Sequence, residues 1–262
     1  MTTYLDGILA AHRARAAADG RSPDDLRARA MARPPSRDFR NALLAKDGPS
    51  IIAEIKRRSP SKGDLAPGLD AATLASDYAR GGAACLSVLT DERFFGGSAE
   101  DLAAARAACE LPVLRKDFTV EVRDVLDARL MGADAVLLIA AALDDGGLAR
   151  CSTLADDLGM AALVEVHDEG ELDRALAAGA DLVGVNCRDL RTFEVDRDLP
   201  LHLAERVPDD VVAVAESGIR NAEDVRRMGD AGYAAVLVGE TLVTSADPAG
   251  ALTQLRGAAV CS

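Results

Sequence analysis

Residues 51–63 decide the fold, and they read Ile51-Ile52-Ala53-Glu54-Ile55-Lys56-Arg57-Arg58-Ser59-Pro60-Ser61-Lys62-Gly63. The stretch opens as a short apolar, β-branched run, which is typical of a strand buried on both faces. Alternation along a strand predicts that Ile52, Glu54 and Lys56 share one face. A carboxylate and an ammonium side by side on the inner face of a buried strand are costly unless they pair or meet a charged ligand. The pair alone therefore fits a structural ion pair and a binding site equally well.

The loop after this strand favours the binding site. Ser59-Pro60-Ser61-Lys62-Gly63 combines hydroxyl groups with turn-forming Pro and Gly, which is the composition of a flap over a site. We expect the loop from Ser59 to Gly68 to be mobile.

Beyond Ile51, short apolar runs alternate with helical, Ala-rich, charged segments in eight strand-helix units. The runs are Ile51–Ile55, Cys85–Leu89, Pro112–Leu114, Ala135–Ile139, Ala161–Val166, Leu182–Val185, Val211–Ala215 and Ala234–Val238. Eight such units in 262 residues predict an α/β fold, a closed parallel (β/α)8 TIM barrel with an outer ring of helices. An open doubly wound sheet is the structural alternative, but no G-x-G-x-x-G follows any run, so a dinucleotide fold loses its main support.

Glycines precede most of these runs, where C-capping glycines of helices are expected. They are Gly82, Gly132, Gly159, Gly179 and Gly232.

The first 48 residues read as a helical extension. Tyr4, Leu5, Ile8 and Leu9 recur at helical spacing, a second helix is predicted over 24–31, and Pro34-Pro35 breaks the segment. We therefore divide the chain into an N-terminal helical extension, 1–48, and a barrel domain, 49–262. The extension is expected to pack on the barrel as a plug or collar rather than to take part in catalysis.

Composition excludes several classes of function. The net charge of −13 and the absence of Trp weigh against nucleic acid, which needs a basic footprint and aromatic stacking platforms. The sequence has no apolar stretch of signal-peptide type. It also has no apolar run long enough to predict a membrane-spanning helix. The cysteines are scattered without metal-ligand spacing, as is typical of reduced thiols in a cytoplasmic protein without a metal site. They are Cys85, Cys109, Cys151, Cys187 and Cys261.

Lysine is rare in this chain, because Lys and Arg total 30 and only Lys46, Lys56, Lys62 and Lys116 are lysines. A Lys kept inside a predicted strand favours a role that Arg cannot fill, namely a compact ammonium that donates a proton. Lys56 and Lys116 are such lysines.

The predicted strands end in polar residues, and the active site of a TIM barrel lies at those ends. The residues are Glu54 and Lys56, Lys116, Glu165, Asn186 and Arg188, Glu216 with Ser217, and Glu240. Strand parity predicts that Leu114 points inward with Lys116, and Val214 with Glu216. So many ionisable or amide groups on one rim favour a catalytic site over unrelated packing.

An anion site is predicted after the last two strands. Gly218 and Gly239 follow the seventh and eighth runs, where barrels often bind phosphate with backbone N–H groups and a short helix. We therefore expect a small phosphorylated substrate.

Several motifs together resemble the indole-3-glycerol phosphate synthase family of the tryptophan pathway. They are Glu54-Ile55-Lys56-Arg57-Arg58-Ser59-Pro60-Ser61, Arg115-Lys116-Asp117-Phe118, Val164-Glu165-Val166-His167, Gly184-Val185-Asn186-Cys187-Arg188-Asp189-Leu190 and Ala215-Glu216-Ser217-Gly218-Ile219. The resemblance covers nearly the whole chain. It implies a carboxy-lyase that closes the indole ring of 1-(2-carboxyphenylamino)-1-deoxy-D-ribulose 5-phosphate, with loss of carbon dioxide and water and without a cofactor.

The resemblance also implies roles. Lys116 is the expected general acid of ring closure, Glu165 a proton-transfer partner in dehydration, and Lys56 a holder of substrate anions. Glu54 orients the lysines. The remaining roles fall to three groups: Asn186, Arg188, Glu216 and Ser217 for the carboxylate and sugar hydroxyls; Phe95, Phe118, Leu137 and Leu237 for the aromatic ring; Ser59, Gly218, Gly239 and Glu240 for the phosphate.

Two other readings stay open. A sibling phosphate-binding barrel, such as phosphoribosylanthranilate isomerase, would place Cys or Asp where the first run has Glu54 and Lys56. A catalytically silent barrel would lack the acid or the base, whereas Lys116 and Glu165 are present. We expect a monomer, with a weak dimer as the alternative.

Overall fold

Eight parallel strands close into a barrel in the computed structural model, which describes residues 3–44, 48–60, 62–188 and 194–257. Lys46, Ser61, Asp189, Leu190 and Cys261 lie outside the described residues. The barrel strands are β1 (Ser50–Ile55), β4 (Cys85–Leu89), β5 (Val113–Lys116), β6 (Ala135–Ile139), β7 (Ala161–Val166), β8 (Leu182–Asn186), β9 (Val212–Glu216) and β10 (Ala235–Val238). Each pairs in parallel with its chain neighbours, and β10 pairs with β1 to close the ring. The predicted TIM barrel is confirmed.

Helices separate the strands as the alternation predicts. The main ones are α4 (Ala71–Gly81), α6 (Ala99–Ala108), α7 (Val122–Met131), α8 (Asp145–Asp157), α9 (Glu169–Ala177), α10 (Leu199–Ala204), α11 (Ala222–Asp230) and α13 (Pro248–Arg256). Short helices α5 (Glu92–Phe95) and α12 (Glu240–Val243) and a 3₁₀ turn (Ala140–Ala142) lie in loops after strands. The predicted capping glycines all have positive φ, from 68° at Gly159 to 97° at Gly232, a backbone state in which glycine carries no Cβ penalty.

Strand parity sorts the core into two layers. Ile52, Leu114 and Val214 belong to one apolar cluster inside the barrel, whereas Ile51 and Ala53 belong to a second cluster between strands and helices. The inward set predicted from alternation is therefore confirmed. Inward polar residues at the ends of the same strands must consequently face the barrel mouth.

The N-terminal extension contacts both ends of the barrel. Helix α1 (Tyr4–Ala18) lies over the C-terminal ends of the strands, where Arg13 Nη2 donates to the Ala142 carbonyl at 2.9 Å. Helix α2 (Pro23–Met31) packs on α7, and the short helix α3 (Phe39–Ala42) lies at the opposite end, where the Cys85 thiol contacts the Phe39 carbonyl. The boundary between residues 48 and 49 stays a prediction.

The sequence reading missed some local structure. The loop after β1, read only as a turn-rich flap, contains an antiparallel hairpin of β2 (Arg58–Ser59) and β3 (Gly63–Asp64). Helices α3 and α5, of four residues each, were also missed, because segments this short leave no periodic signal. None of the described helices is long and apolar enough to cross a membrane.

Candidate active site

A cavity of about 330 Å³ opens at the C-terminal ends of the strands. Its size suits a small ligand. Every residue that the sequence predicts for the site lines it: Glu54, Lys56, Ser59, Phe95, Lys116, Phe118, Leu137, Glu165, Asn186, Arg188, Glu216, Ser217, Gly218, Leu237, Gly239 and Glu240. Helix α1 contributes Tyr4, Leu5 and Ile8 to the wall, so the extension forms part of the cavity. The extension therefore packs on the barrel and also borders the cavity.

Lys116 is held between two carboxylates. From the end of β5, its Nζ donates to Oε2 of Glu165 at 2.7 Å and lies 3.0 Å from Oε2 of Glu216. Both carboxylates are buried, whereas the Lys116 side chain is 13% exposed and faces the cavity. The ammonium is therefore fixed in position and still reachable by a ligand.

Burial and charge set the protonation of this group. Burial lowers the pKa of Lys116, but Glu165, Glu216 and Glu54 outweigh it, so the pKa lies above its ordinary value and the amine is charged. Burial raises the pKa of Glu165, but Lys116 and then His167 outweigh that, so its pKa lies below its ordinary value. Burial raises the pKa of Glu216 to about 7, with Glu165 adding to the effect and Lys116 opposing it.

Glu54 and Lys56 form an ion pair at the end of β1. The pair lies so close to Gly239 that a Cβ there would come within 2.3 Å of the Glu54 carboxylate and 3.1 Å of Lys56 Nζ. Gly239 is therefore needed for close packing rather than for backbone freedom. Among the residues that the structure describes, Glu54 forms its ion pair with Lys56, and its charge raises the pKa of Lys116.

A hydrogen-bonded chain continues from Glu165 toward the anion site. Asn186 Nδ2 donates to Oε1 of Glu165 at 3.1 Å, and the Asn186 Oδ1 accepts from the Ser217 hydroxyl at 2.8 Å. Ser217 has φ of 68°, which costs a non-glycine residue roughly 1–2 kcal/mol. The backbone of Arg188 also donates to Asn186 Oδ1, at 3.1 Å. The strained backbone of Ser217 lies in the loop after β9, where it directs the Ser217 hydroxyl toward the site.

Apolar side chains form one wall of the cavity. The rings of Phe95 and Phe118 lie 6.0 Å apart at an interplanar angle of 37°, and Leu137 and Leu237 rise from the barrel interior beside them. This combination suits a flat aromatic group.

The loops after β9 and β10 form the opposite wall. Gly218 has φ of 75°, and α12 begins at Glu240 directly after Gly239, as predicted for a short helix after the eighth strand. Lys62, on the loop after β1, forms an ion pair with Glu240, at the start of α12 beside it. Backbone N–H groups and a lysine are thus available to an anion here.

A buried network attaches helix α1 to this rim. His12 Nε2 lies 3.0 Å from Oδ2 of Asp91 and 3.9 Å from Oδ1 of Asp117. These ligand atoms lie within 4.8 Å of one another, a spacing that suits a metal ion. However, Arg115 and Thr90 already bond Asp117, and backbone N–H groups of α5 donate to Asp91. We therefore interpret the network as a structural anchor for α1 rather than as a metal site.

Comparison with known proteins decides the family. A family model described as indole-3-glycerol phosphate synthase matches residues 5–255. The chain is 55% identical to the indole-3-glycerol phosphate synthase of a Nocardioides species, over 89% of each chain, and 51% identical to that of Polaromonas naphthalenivorans, over 88% of this chain and 89% of the relative. A second Polaromonas synthase is 50% identical over 98% of this chain and 99% of its own.

The chain belongs to the indole-3-glycerol phosphate synthase family. The resemblance drawn from the motifs is confirmed, and with it the assignment to the carboxy-lyases of tryptophan biosynthesis.

More distant structures support the fold alone. A thiamine phosphate pyrophosphorylase from Pyrococcus furiosus superposes with a TM-score of 0.63 at 18% identity, covering 85% of this chain and 98% of its own. A 3-hexulose-6-phosphate synthase from Salmonella typhimurium gives 0.64 at 15% identity, covering 80% and 98%.

The sequence patterns assign no site role to several residues of this cavity, among them Leu5, Ile8 and Lys62, nor to His167, which contacts Glu165. Leu5 and Ile8 carry a helical apolar stripe, but periodicity does not say which surface the stripe covers. His167 stands two residues after Glu165, so strand parity alone would place it on the inward face. The motif that contains His167 gives it no role by itself.

Proposed function

We propose that the cavity is the active site in which 1-(2-carboxyphenylamino)-1-deoxy-D-ribulose 5-phosphate is converted to indole-3-glycerol phosphate. The observation that carries the proposal is Lys116, a charged amine fixed between Glu165 and Glu216 and facing the cavity. Family membership supplies the reaction, and we assign the residues to its steps.

Ring closure needs an acid. As the ring carbon attacks the ribulose carbonyl carbon, the carbonyl oxygen gains negative charge and takes a proton from Lys116 Nζ. The neighbouring carboxylates hold the ammonium at one place, so little reorganisation is needed at the moment of transfer. The carboxylate of the substrate then leaves as carbon dioxide, and its electrons restore the aromatic ring.

The dehydration step needs both a base and an acid. Glu165 is ionised, so it accepts the substrate proton, while the Lys56 ammonium, which also lines the cavity, donates a proton to the departing hydroxyl, which leaves as water. Glu216, whose pKa burial raises to about 7, lies 3.0 Å from Lys116 Nζ and is placed to exchange a proton with it.

Substrate binding divides among the walls of the cavity. Lys56, Arg188, Asn186 and Ser217 meet the carboxylate and the sugar hydroxyls, and the Phe95–Phe118 wall with Leu137 and Leu237 holds the aromatic ring. The phosphate lies against Ser59, Gly218, Gly239 and the first turn of α12, where the helix N-terminus favours an anion.

The protein is expected to work as a monomer in the cytoplasm. Sedimentation velocity with and without the phosphorylated substrate tests the oligomeric state, and a stable dimer would contradict the proposal.

Indole fluorescence tests the function. The chain contains no Trp, so its own background is small while product forms. Purified protein mixed with the substrate should give a rising indole signal, and Lys116→Met with an unchanged circular dichroism spectrum should give none. Absence of a signal from folded wild type would overturn the proposal.

A further inference from the structure

His167 follows the last residue of β7 and lies behind the carboxylate of Glu165. Its Nε2 is 3.3 Å from Oε1 of Glu165, the same oxygen that accepts from Asn186. The other oxygen of Glu165 accepts from Lys116. His167 therefore touches the site residue that faces the reaction, and it does not line the cavity itself.

A second carboxylate fixes the imidazole from the other side. Oε2 of Glu171, in the first turn of α9, accepts from the backbone N–H of His167 at 2.8 Å and lies 3.0 Å from Nδ1 of the ring. Asp168 caps the same helix by accepting from the Glu171 N–H at 2.8 Å. The start of α9 thus holds the ring at one orientation.

These contacts decide the charge of the ring. Nδ1 of His167 is hydrogen-bonded to Glu171, whereas Nε2 lies 3.3 Å from Oε1 of Glu165 at an angle too poor for a hydrogen bond, so that contact is electrostatic. Ionised carboxylates only accept hydrogen bonds and carry negative charge, and one lies against each ring nitrogen. A neutral imidazole would direct a bare lone pair at Glu165 or at Glu171. Both nitrogens are therefore best protonated, which makes the ring an imidazolium.

We propose that His167 is a positioning residue, held as an imidazolium by Glu171, whose positive charge orients Glu165 and stabilises its ionised form. The inference rests on the proposed role of Glu165 in proton transfer. Without this charge, Lys116 would be the single cation among the described residues in contact with Glu165. The loss of its proton during ring closure would then leave the negative charge of the Glu165 carboxylate unbalanced.

The electrostatics agree with the geometry. Burial lowers the pKa of His167, but Glu165 and Glu171 outweigh it and raise the pKa to about 10. The charged groups facing the ring are Glu165 from β7 and Glu171 from α9, and Lys116 from β5 lies beyond Glu165. The chain has three histidines, so the ring can be observed directly.

Nitrogen-15 NMR of histidine-labelled protein reports the protonation state of the His167 ring, which a purely structural role of His167 would not determine. The signals of His167, assigned by their loss in His167→Asn, should show two protonated nitrogens at pH 8. In Glu171→Gln the ring should lose its proton at a pH lower by about one unit or more. A neutral ring in the wild type at pH 8 would overturn the proposal.

Kinetics complete the test. His167→Asn should lower kcat about tenfold with KM within twofold, and the loss should be larger at pH 6 than at pH 8, because Glu165 without the imidazolium binds its proton more tightly. His202→Asn is the matched control, because His202 also pairs with a carboxylate, Glu169, but is 64% exposed and remote from the cavity. It should behave as wild type.

Failure of this inference is distinguishable from failure of the proposed function. If wild type forms product and Glu165→Gln is impaired while His167→Asn keeps full kcat, the positioning role is wrong and the function stands. A lower melting temperature of His167→Asn with unchanged kcat at both pH values would also overturn it. If wild type forms no product, the function itself fails.

Discussion

The ammonium of Lys116 reaches across strand β6 to donate to Glu165 at 2.7 Å, although the two residues are 49 positions apart in the chain. The contact joins the ends of β5 and β7 at the centre of the barrel mouth. In our account the proton donor of ring closure and the proton acceptor of dehydration are thus in contact before substrate arrives.

Replacing Glu165 should remove most of the activity. Glu165→Gln keeps the size of the side chain but abolishes the base, so kcat should fall by about 10²-fold or more. Steady-state rates from indole fluorescence give kcat and KM separately. Glu169→Gln, on the surface of α9, is the control and should match wild type. Retention of half the wild-type kcat in Glu165→Gln would contradict the assignment.

Gly184 matters because of what a side chain there would displace. A Cβ at this position would lie 2.2 Å from Oε1 of Glu216 and 3.3 Å from Leu163 Cδ1. Gly184→Ala should push Glu216 away from Lys116 and lower kcat about tenfold to 10²-fold, since small misplacements of catalytic groups are costly. Gly20→Ala, which meets nothing within 4 Å, should leave kcat unchanged. Equal rates for the two variants would refute the packing argument.

The stability of the protein should depend on the ionisation of Glu216. Its folded pKa is raised from 4.5 to about 7, so between these pH values the folded state binds more protons than the unfolded chain. This group therefore lowers stability as pH rises through that window, by up to about 3 kcal/mol. Glu216→Gln removes the effect.

The measurement is the melting temperature of Glu216→Gln minus that of wild type, taken from pH 5 to pH 8. The difference in melting temperature should grow with pH. The Glu216→Gln variant should also be inactive. A constant difference, or one that shrinks with pH, would show that Glu216 ionises without cost in the folded protein.

The anchor of α1 should affect both stability and substrate binding. His12→Ala leaves the buried Asp91 without its partner on α1, at a cost of about 1–3 kcal/mol in the free energy of unfolding. Because Leu5 and Ile8 of the same helix line the cavity, KM should rise more than kcat falls. Thermal unfolding and steady-state kinetics check both effects. Arg80→Ala, an exposed ion-pair partner on α4, should change neither, and an unchanged KM in His12→Ala would contradict the link.

Much of this structure follows from local sequence rules. Alternation in Ile51–Ile55 and in the seven later runs fixes both the strands and their inward residues, because a side chain on a strand has only two faces to choose from. The polar residues at the strand ends then meet at one rim through barrel topology alone. For this reason Lys116, Glu165 and Glu216 could be grouped from sequence, although not their distances.

Other features depend on contacts that no local pattern encodes. The apolar stripe of α1 predicts burial of Leu5 and Ile8, but the surface that they cover is set by the His12–Asp91 contact, between residues 79 positions apart. The left-handed backbone of Ser217 and the hairpin of β2 and β3 likewise depend on tertiary packing.

The central claim is that Lys116 gives up a proton, and Lys116→Arg tests it most directly. Arginine keeps the positive charge but holds its proton too tightly to act as a general acid. Single-turnover indole fluorescence at saturating enzyme should show a loss of about 10²-fold or more in the rate of product formation, with substrate affinity within a few-fold of wild type. A rate within about fivefold of wild type would show that Lys116 acts through its charge alone, and would contradict the claim.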